Sequence, residues 1–189
     1  MIEALRKHIA TRVGREPENI QQVLAHFEAI ITKRGDHLLQ AGDVCQYVYF
    51  IVEGCLQVYV MDKNGTESTR EFYVEDQWVT DIFGFQHQTP SAEFIKCVEP
   101  SKLLRIHFDS FQKLSQQAPQ FATIYKQILE VSYTNTVYRV NTLMALDALD
   151  RIKWLMEHKP KIMSRLSSKL IASYLGISPE TMTRLKAKL

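Results

Sequence analysis

The sequence contains no run of about 18 apolar residues, the length that a membrane-spanning helix requires. Its first residues, MIEALRKHIATRVG, lack the apolar core of a signal peptide and have the pattern of an amphipathic helix. We therefore expect a cytoplasmic protein with no membrane partner. With 46% hydrophobic and 23% charged residues, the 189-residue chain has the composition of a globular protein with one good core and a smaller satellite domain.

Metal-ligating residues are few and scattered. Cys45, Cys55 and Cys97 are odd in number and lack metal-ligand or C-x-x-C spacing, which predicts buried free thiols in a reducing compartment. The histidines contain no H-x-H and no clustered His/Glu set on one strand. A cupin-like metalloenzyme, an iron–sulfur sensor and a metal cofactor are therefore not predicted, and no residue indicates another cofactor such as haem. The six histidines are His8, His26, His37, His87, His107 and His158.

The small net charge of +2 conceals an uneven distribution. From Arg151 to the end there are nine Lys or Arg residues and two Asp or Glu residues, a net charge of +7. The rest of the chain has fourteen and nineteen of these residues, a net charge of −5. A basic tail on an acidic body indicates that the tail meets a polyanion. A merely solvated basic face is the alternative, and charge alone does not decide between the two.

The first 34 residues are predicted to be helical, with a break at Gly14. Pro17 suits the first position of a second helix that runs through PENIQQVLAHFEAIITKR. Five apolar residues then fall on one face at helical spacing, namely Val23, Leu24, Phe27, Ile30 and Ile31.

From Gly35 the pattern changes to short β-branched and aromatic runs. The runs QYVYFIVEG, CLQVYVMDKNG, TESTREFYVED, EFIKCVE and KLLRIHF are predicted strands. Asn64-Gly65 supplies the positive φ angles of a tight hairpin turn. Leu56, Val58 and Val60 alternate with Gln57 and Tyr59, as in a strand with one buried face. Several short strands at regular spacing indicate an antiparallel roll or barrel.

A long helix is predicted after the strands. DSFQKLSQQAP forms a first helix with Asp109 as its N-cap, and QFATIYKQILEVSYTNTVYRVNTLMAL continues at length. Its apolar residues recur in a heptad-like pattern, which favours a homodimer seam over simple packing of one face on the roll. The seam comprises Tyr133, Val137, Val140 and Met144, continued by Ile124, Ile128 and Val131.

The chain closes with three helical segments. DALDRIKWLMEHKP is a helix that begins at Asp147, and a short basic link leads to two final helices. Gly176 can adopt the left-handed conformation that ends the first of these, and Ser178 with Pro179 can start the second. One apolar face, which includes Met182, would hold the pair together, as in a helix-turn-helix.

The polar face of the last helix suits the major groove of DNA. Arg184 could give paired hydrogen bonds to guanine, and Glu180 could accept from a cytosine amino group. Hydroxyl groups and exposed amides at the helix starts could bind phosphate. A plain helical hairpin with solvated charges is the alternative. The residues predicted to contact DNA are Ser167, Ser168, Lys169, Ser178, Glu180, Thr181, Arg184 and Lys188.

Four stretches together resemble the Crp/Fnr family of bacterial transcription regulators, and more narrowly its branch in Bacteroidetes-type bacteria. They are AGDVCQYVYFIVEGCLQVYV, TREFYVEDQWVTDIFGF, QTPSAEFIKCVEPSKLLRI and LIASYLGISPETMTRLKAKL, of which the last is the most specific. The resemblance implies an α+β fold. It has an N-terminal antiparallel β-roll of cyclic-nucleotide-binding type (a double-stranded β-helix) with flanking helices, a long dimerisation helix and a C-terminal helix-turn-helix. The implied domains are a sensor at 1–117, a dimerisation helix at 118–146 and a DNA-binding domain at 147–189.

The resemblance also implies homodimers that bind two-fold symmetric operators on double-stranded DNA. Base-reading positions fall on Pro179, Glu180 and Arg184. Because Pro179 stands where some members have arginine, the preferred half-site should differ from theirs. Many members follow this helix with a β-hairpin wing, whereas this sequence ends at Leu189. If that is the natural end, we expect fewer phosphate contacts and lower affinity.

The candidate effector pocket departs from the cyclic-nucleotide binders of this fold, which pair Gly-Glu with a later Arg-Ser. Thr80-Asp81 and Pro90-Ser91 stand at the matching positions. Without the arginine a buried phosphate loses its charge partner, so we expect no tight binding of cAMP or cGMP. Another effector, or none, is compatible with these residues, and turn and capping roles for Asp81 and Ser91 are favoured.

The leading hypothesis is therefore a dimeric DNA-binding regulator, not an enzyme, that does not respond to cAMP. The alternative is a small-molecule-binding β-roll module whose terminal helices mediate protein contacts. Affinity for DNA that falls steeply with salt would separate the two.

Overall fold

The computed structural model describes residues 1–187, except for the side chains at positions 119 and 120. The chain packs into two compact units: Met1–Val58 with Phe72–Glu130, and Tyr59–Glu71 with the residues from Val131 onward. The predicted domains are divided by function rather than by packing, so they stay a prediction.

The described elements are α1 (Ile2–Val13), α2 (Ile20–Leu24), β1 (Glu28–Thr32), β2 (His37–Leu39), β3 (Tyr47–Glu53), β4 (Leu56–Met61), β5 (Glu67–Tyr73), β6 (Trp78–Val79), α3 (Ile82–His87), β7 (Phe94–Cys97), β8 (Ser101–His107), α4 (Phe108–Gln117), α5 (Pro119–Ala145), α6 (Ala148–His158), α7 (Pro160–Arg165), α8 (Ser168–Leu175) and α9 (Pro179–Lys186).

The strands form two four-stranded sheets, ordered β1-β8-β3-β6 and β2-β7-β4-β5. Strand β8 lies between β1 and β3 and is antiparallel to both. The five strands predicted from the β-branched and aromatic runs are all present, as β3, β4, β5, β7 and β8. The predicted α+β class with an antiparallel roll is therefore confirmed.

Strand β1 shows that the prediction of a second long helix from Pro17 is wrong. Only Ile20–Leu24 is helical there, and Glu28–Thr32 pairs with β8 along its whole length. The apolar spacing does fit a helix, but Ile30 and Ile31 are β-branched and suit a strand. Pairing with a strand about seventy residues away along the chain overrides the local pattern. Of the five apolar residues, Val23 and Leu24 are buried, whereas Ile31 is 75% exposed.

Helix α1 packs on the roll through buried residues that include Leu5 and ends at Gly14 (φ 80°), as predicted. His8 is buried beside them, with Nδ1 2.7 Å from a carboxylate oxygen of Asp76. The indole N–H of Trp78 donates to Nε2 of His8 at 3.0 Å. Because Nε2 accepts, the ring is neutral with its proton on Nδ1. Burial lowers the pKa of His8, which keeps it in this form at neutral pH.

The cysteines are buried in the interior as free thiols, as the sequence predicts. Cys97 contacts the hydroxyl of Thr32 at 3.2 Å, and Cys45 contacts the hydroxyl of Thr80 at 3.3 Å. Cys55 is also fully buried. They fill space among aliphatic and aromatic core residues rather than forming a ligand set.

Strand β4 is buried on both faces, contrary to the prediction of one buried face. Leu56 and Val58 are fully buried, but so is Gln57, and Tyr59 is 2% exposed. Val60 is 39% exposed. The alternation in the sequence therefore does not mark a single buried face, because both faces of the strand are buried from Leu56 to Tyr59.

The hairpin turn lies where Asn64-Gly65 predicts it. Gly65 has a φ of 79°, whereas Asn64 is not among the residues with positive φ. The side chain of Asp62 accepts from the amides of Asn64 and Thr66 at 2.8 and 2.9 Å. These two amides lower the pKa of Asp62, so the carboxylate holds the turn closed.

Helices α4 and α5 form as predicted, with two corrections. The N-cap of α4 is His107, whose side chain accepts from the amide of Asp109, so Asp109 is inside the helix rather than its cap. In α5, Ile124 is 2% exposed and Ile128 packs against the core of the first unit. The first half of the predicted seam is therefore a core face, and Val131 stands at the boundary between the two units.

In the second unit, α6 begins where the sequence predicts. The side chain of Asp147 accepts from the amides of Leu149 and Asp150 at 2.9 and 3.0 Å. The predicted basic link contains a short helix, α7, which starts at Pro160. Proline at the first helical position is favourable because its missing N–H would have no partner there. No helix in the described part of the chain combines the length and apolarity needed to cross a membrane.

Candidate nucleic-acid interface

Helices α8 and α9 form a helix-turn-helix with both ends of the turn fixed by the sequence. Gly176 has φ 65° and ψ 37°, and the amide of Ile177 donates back to the carbonyl of Ala172 at 3.1 Å. This is the hydrogen bond that closes a helix at a left-handed glycine. Ser178 then accepts from the amide of Thr181 at 3.1 Å, which caps the start of α9.

The inner faces of the two helices are apolar and buried. Ile171 and Leu175 of α8 are each 1% exposed, and Met182 of α9 is fully buried. The apolar face predicted from the sequence therefore holds the pair together. With that face buried, the opposite face of α9 is left to solvent.

The exposed face of α9 carries the residues predicted to read bases. Glu180 and Arg184 are exposed, and Thr181 is half-buried. The backbone amide of Glu180 itself and then the Ser178 hydroxyl lower the pKa of the Glu180 carboxyl. The carboxylate is therefore ionised at neutral pH and lies at the positive end of the helix dipole. Pro179 is exposed at the first position of α9 and has no side-chain donor.

The predicted phosphate-binding residues stand at the start of α8. The side chain of Ser167 caps this helix by accepting from the amide of Leu170 at 3.4 Å. Ser168 is its first residue, and Lys169 is exposed. The prediction for Lys188 lies outside the described residues.

Further basic residues surround these positions. Lys161, on the unpredicted helix α7, and Lys186, in the last turn of α9, are both exposed. The excess of nine basic over two acidic residues in the tail indicated such residues, but helix α7, which carries Lys161, was not predicted. Both add positive charge to the unit that contains α8 and α9.

Arg151 links three helix segments of the second unit, and sequence reasoning missed it. Its Nε donates to the carbonyl of Leu146 at 3.0 Å, its Nη1 to that of Leu175 at 3.0 Å, and its Nη2 to that of Leu143 at 2.8 Å. These carbonyls belong to the ends of α5 and α8. Leu146 and Leu143 lie five and eight residues before Arg151, and Leu175 lies 24 residues after it, so no spacing rule predicts that one side chain contacts all three.

A second set of side chains, the Lys159 cluster, comprises Glu71, Arg139, Lys159 and Tyr174. The ammonium of Lys159 donates to both carboxylate oxygens of Glu71 at 2.8 and 2.9 Å and to the Tyr174 hydroxyl at 3.2 Å. The guanidinium of Arg139 lies 4.1 Å above the centre of the Tyr174 ring. Tyr174 is in α8, so the cluster ties the helix-turn-helix to the end of β5.

Hydroxyl groups extend this connection along β5. The Ser173 hydroxyl donates to the carbonyl of Glu67 at 2.8 Å and accepts from the amide of Thr69 at 3.0 Å. Arg139 donates to the carbonyl of Thr69 at 2.9 Å. The β4–β5 hairpin, residues 59–71, thus belongs with the helix-turn-helix by its packing as well as by its contacts.

The polar groups of the candidate effector pocket have structural partners. The Thr80 hydroxyl donates to the carbonyl of Tyr47 at 3.0 Å, and Asp81 caps α3 by accepting from the amide of Gly84 at 3.1 Å. Ser91 accepts from the amide of Glu93 at 3.0 Å, and Pro90 forms a β-bridge with Val44. The turn and capping roles that the sequence favours for Asp81 and Ser91 are present.

Comparison with known proteins supports the same organisation. Residues 31–118 match the model of the cyclic nucleotide-binding domain. The cAMP-activated global transcriptional regulator CRP of Pasteurella multocida is 23% identical over 158 residues, covering 78% of this chain and 76% of that protein. The anaerobic regulatory protein of the same organism is 26% identical over 167 residues, covering 80% of this chain and 59% of that protein.

Solved structures show the same fold. The c-di-GMP responsive global regulator CLP of Xanthomonas campestris has a TM-score of 0.73 at 20% identity, covering 90% of this chain and 89% of that one. FixK2 of Bradyrhizobium japonicum has a TM-score of 0.75 at 16% identity, covering 86% of this chain and 84% of that one.

The domain match and the closing helices define the class: a roll of cyclic-nucleotide-binding type joined to a helix-turn-helix. The chain is similar to transcription regulators of the Crp/Fnr family. These matches do not test the narrower likeness to a Bacteroidetes-type branch, which stays a prediction.

Proposed function

We propose that the protein is a non-enzymatic transcription regulator that binds operator DNA as a homodimer in the cytoplasm. The observation that carries the proposal is the exposed polar face of α9, with Arg184 and Glu180, on a helix whose other face is fully buried at Met182. An α-helix presented in this way fits the major groove, where side chains can reach base edges.

Each predicted contact has a chemical role in this proposal. Arg184 reads guanine by paired hydrogen bonds, and Glu180 reads the amino group of cytosine. Ser167, Ser168 and Lys169 at the start of α8, with Ser178 and Thr181 at the start of α9, contact phosphates and set the register on the duplex. Lys188, four residues after Arg184 in the sequence, is proposed to belong to the same set.

The dimer proposal rests on the second half of α5. Four apolar side chains spaced four, three and four residues apart are exposed there, and in a lone chain they would be left in water. These four side chains, Tyr133, Val137, Val140 and Met144, form an apolar strip. Pairing this strip with the same strip of a second copy would cover the side chains with two-fold symmetry, as a palindromic operator requires. The exposed fractions are 73% for Tyr133, 38% for Val137, 47% for Val140 and 81% for Met144.

The roll is proposed not to respond to cAMP. Pro90 brings no charge to the position where a phosphate would need a cation, and Thr80, Asp81 and Ser91 are engaged in local hydrogen bonds. A buried phosphate without a cationic partner is costly. Tight cAMP binding in a calorimetric titration would contradict this part of the proposal.

A salt titration tests DNA binding against the alternative of protein contacts. We expect the logarithm of DNA affinity to fall linearly with the logarithm of salt concentration, with a slope of about −0.9 for each phosphate neutralised. Lys169→Gln should make the slope shallower by about 0.9 for each protomer, because one exposed cation at the start of α8 is lost. Fluorescence anisotropy with a labelled duplex measures both slopes.

Lys113→Gln is the matched control, because it removes one exposed positive charge from α4 in the other unit. Its slope should equal that of the unmodified protein. Weak affinity that barely changes with salt, or an equal effect of both substitutions, would favour the protein-contact alternative.

A further inference from the structure

The guanidinium of Arg151 closes the C-terminal ends of two helices at once. Carbonyls in the last turn of a helix have no donor within that helix. Arg151 supplies three donors: to Leu143 and Leu146 at the end of α5, and to Leu175 at the end of α8. A positive charge at these ends also interacts favourably with the negative end of each helix dipole.

Arginine is suited to this contact in a way that lysine is not. The donors of a guanidinium lie in one plane at fixed angles, so three carbonyls held by one group are fixed relative to each other. A lysine has donors on one nitrogen only and cannot reach the three carbonyls in the same geometry. Arg151 therefore acts as a rigid joint between α5 and α8.

The packing around the joint is close. A Cβ atom at Gly176 would lie 3.4 Å from a methyl carbon of Leu143 and 3.7 Å from Nη1 of Arg151. The end of α8 therefore sits directly against the last turn of α5. The exposed apolar strip of α5 reaches Met144, next to Leu143, and α9 begins three residues after Gly176. The joint stands between the strip and the recognition helix.

We propose that Arg151 is a positioning residue that sets the distance between the two recognition helices of the dimer, and therefore the spacing of operator half-sites it accepts. The inference rests on the proposed function, since it needs both the α5 dimer and DNA binding through α9. Successive base pairs rotate a half-site around the duplex, so a rigid joint should accept one spacing and reject its neighbours.

The experiment uses the full chain and a series of duplexes that carry the selected half-sites. The spacer between the half-sites is lengthened or shortened by one or two base pairs. For the unmodified protein, one added base pair should weaken binding by about tenfold or more, because the second helix no longer faces its groove. For Arg151→Gln and Arg151→Lys, that penalty should fall to about threefold or less, while the base preference within each half-site is unchanged.

Lys153→Gln is the matched control, because Lys153 is exposed on the same helix and the substitution removes one positive charge there. For this variant, one added base pair in the spacer should weaken binding by the same factor as for the unmodified protein. The inference is overturned if both Arg151 variants are folded dimers that keep the penalty, or if they lose half-site preference as well. It is also overturned if neither variant folds, since Arg151 would then be a stability residue. An unmodified protein that prefers no paired half-sites would instead contradict the proposed function itself.

Discussion

Replacing Lys159 with methionine is expected to lower the free energy of unfolding by on the order of 3 kcal/mol at neutral pH. Lys159 donates to both carboxylate oxygens of Glu71, whose side chain is only 6% exposed. Removing one member of a buried ion pair leaves the other charge without its nearest countercharge. The effect should lie at the lower end of the range for such pairs, because Arg139 also interacts with Glu71.

The electrostatics of the pair support this expectation. Burial by itself lowers the pKa of Lys159, but the attraction of Glu71 and then of Tyr174 outweighs it, so the pKa is raised overall. A raised pKa means that the fold stabilises the charged ammonium. This contribution is complete below the ordinary lysine pKa and is lost only as the pH rises past the raised value, so it is fully present at neutral pH.

Urea denaturation measures the loss, and hydrogen exchange localises it. The amide of Thr69, which donates to Ser173, should exchange faster in Lys159→Met because β5 is less firmly held on α8. Adding Glu71→Met to Lys159→Met should recover much of the lost stability, since the Lys159 cluster then contains no buried carboxylate. Lys153→Met is the control: its ion pair is exposed, so a change within about 0.5 kcal/mol is expected. An equal loss in both single variants would contradict the role given to the Lys159 cluster.

Replacing Val137 with glutamate is expected to dissociate the dimer without unfolding the protomer. Val137 is 38% exposed in the middle of the apolar strip, so a charged side chain there meets water in a single chain. In a two-fold dimer it would face its own copy, and like charges brought together in an interface cost several kcal/mol. Each 1.4 kcal/mol is a factor of ten, so the dimer dissociation constant should rise by about a hundredfold or more.

Sedimentation velocity over a concentration series measures this change. Thr134→Glu is the control, because Thr134 is exposed on the same helix but lies off the strip. It should leave the dimer intact, and both variants should keep the helical circular dichroism of the unmodified protein. Equal dimer affinity for Val137→Glu and Thr134→Glu would show that the strip is not the dimer surface.

The parts of the site that local chemistry determines could be predicted from the sequence. Gly176 ends α8, Ser178 starts α9, and Asp147 caps α6, because each acts on backbone groups within a few residues. The buried face of α9 followed from helical spacing. In these segments, the residues that form the local structure are also the residues that signal it.

Features set by distant contacts could not be predicted. The spacing of Ile30 and Ile31 fits a helix, and only β8, far along the chain, makes them a strand. The contacts of Arg151 with the end of α8, and of Lys159 with Glu71, join residues whose proximity no local pattern encodes. The apolar residues of α5 likewise form one pattern in the sequence but two surfaces in the structure, because Ile124 and Ile128 pack in the core of the first unit whereas Tyr133, Val137, Val140 and Met144 are exposed.

Selection of DNA sites from a random pool tests the central claim most directly, with the selected site then titrated against the unmodified protein and Arg184→Ala. We predict enrichment of a palindrome, and a loss of preference at one base pair of each half-site of about 1–3 kcal/mol in Arg184→Ala. That result would establish α9 as the recognition helix and Arg184 as a base-reading residue. No enrichment, or equal binding of both proteins to all duplexes, would contradict sequence-specific DNA binding by this protein.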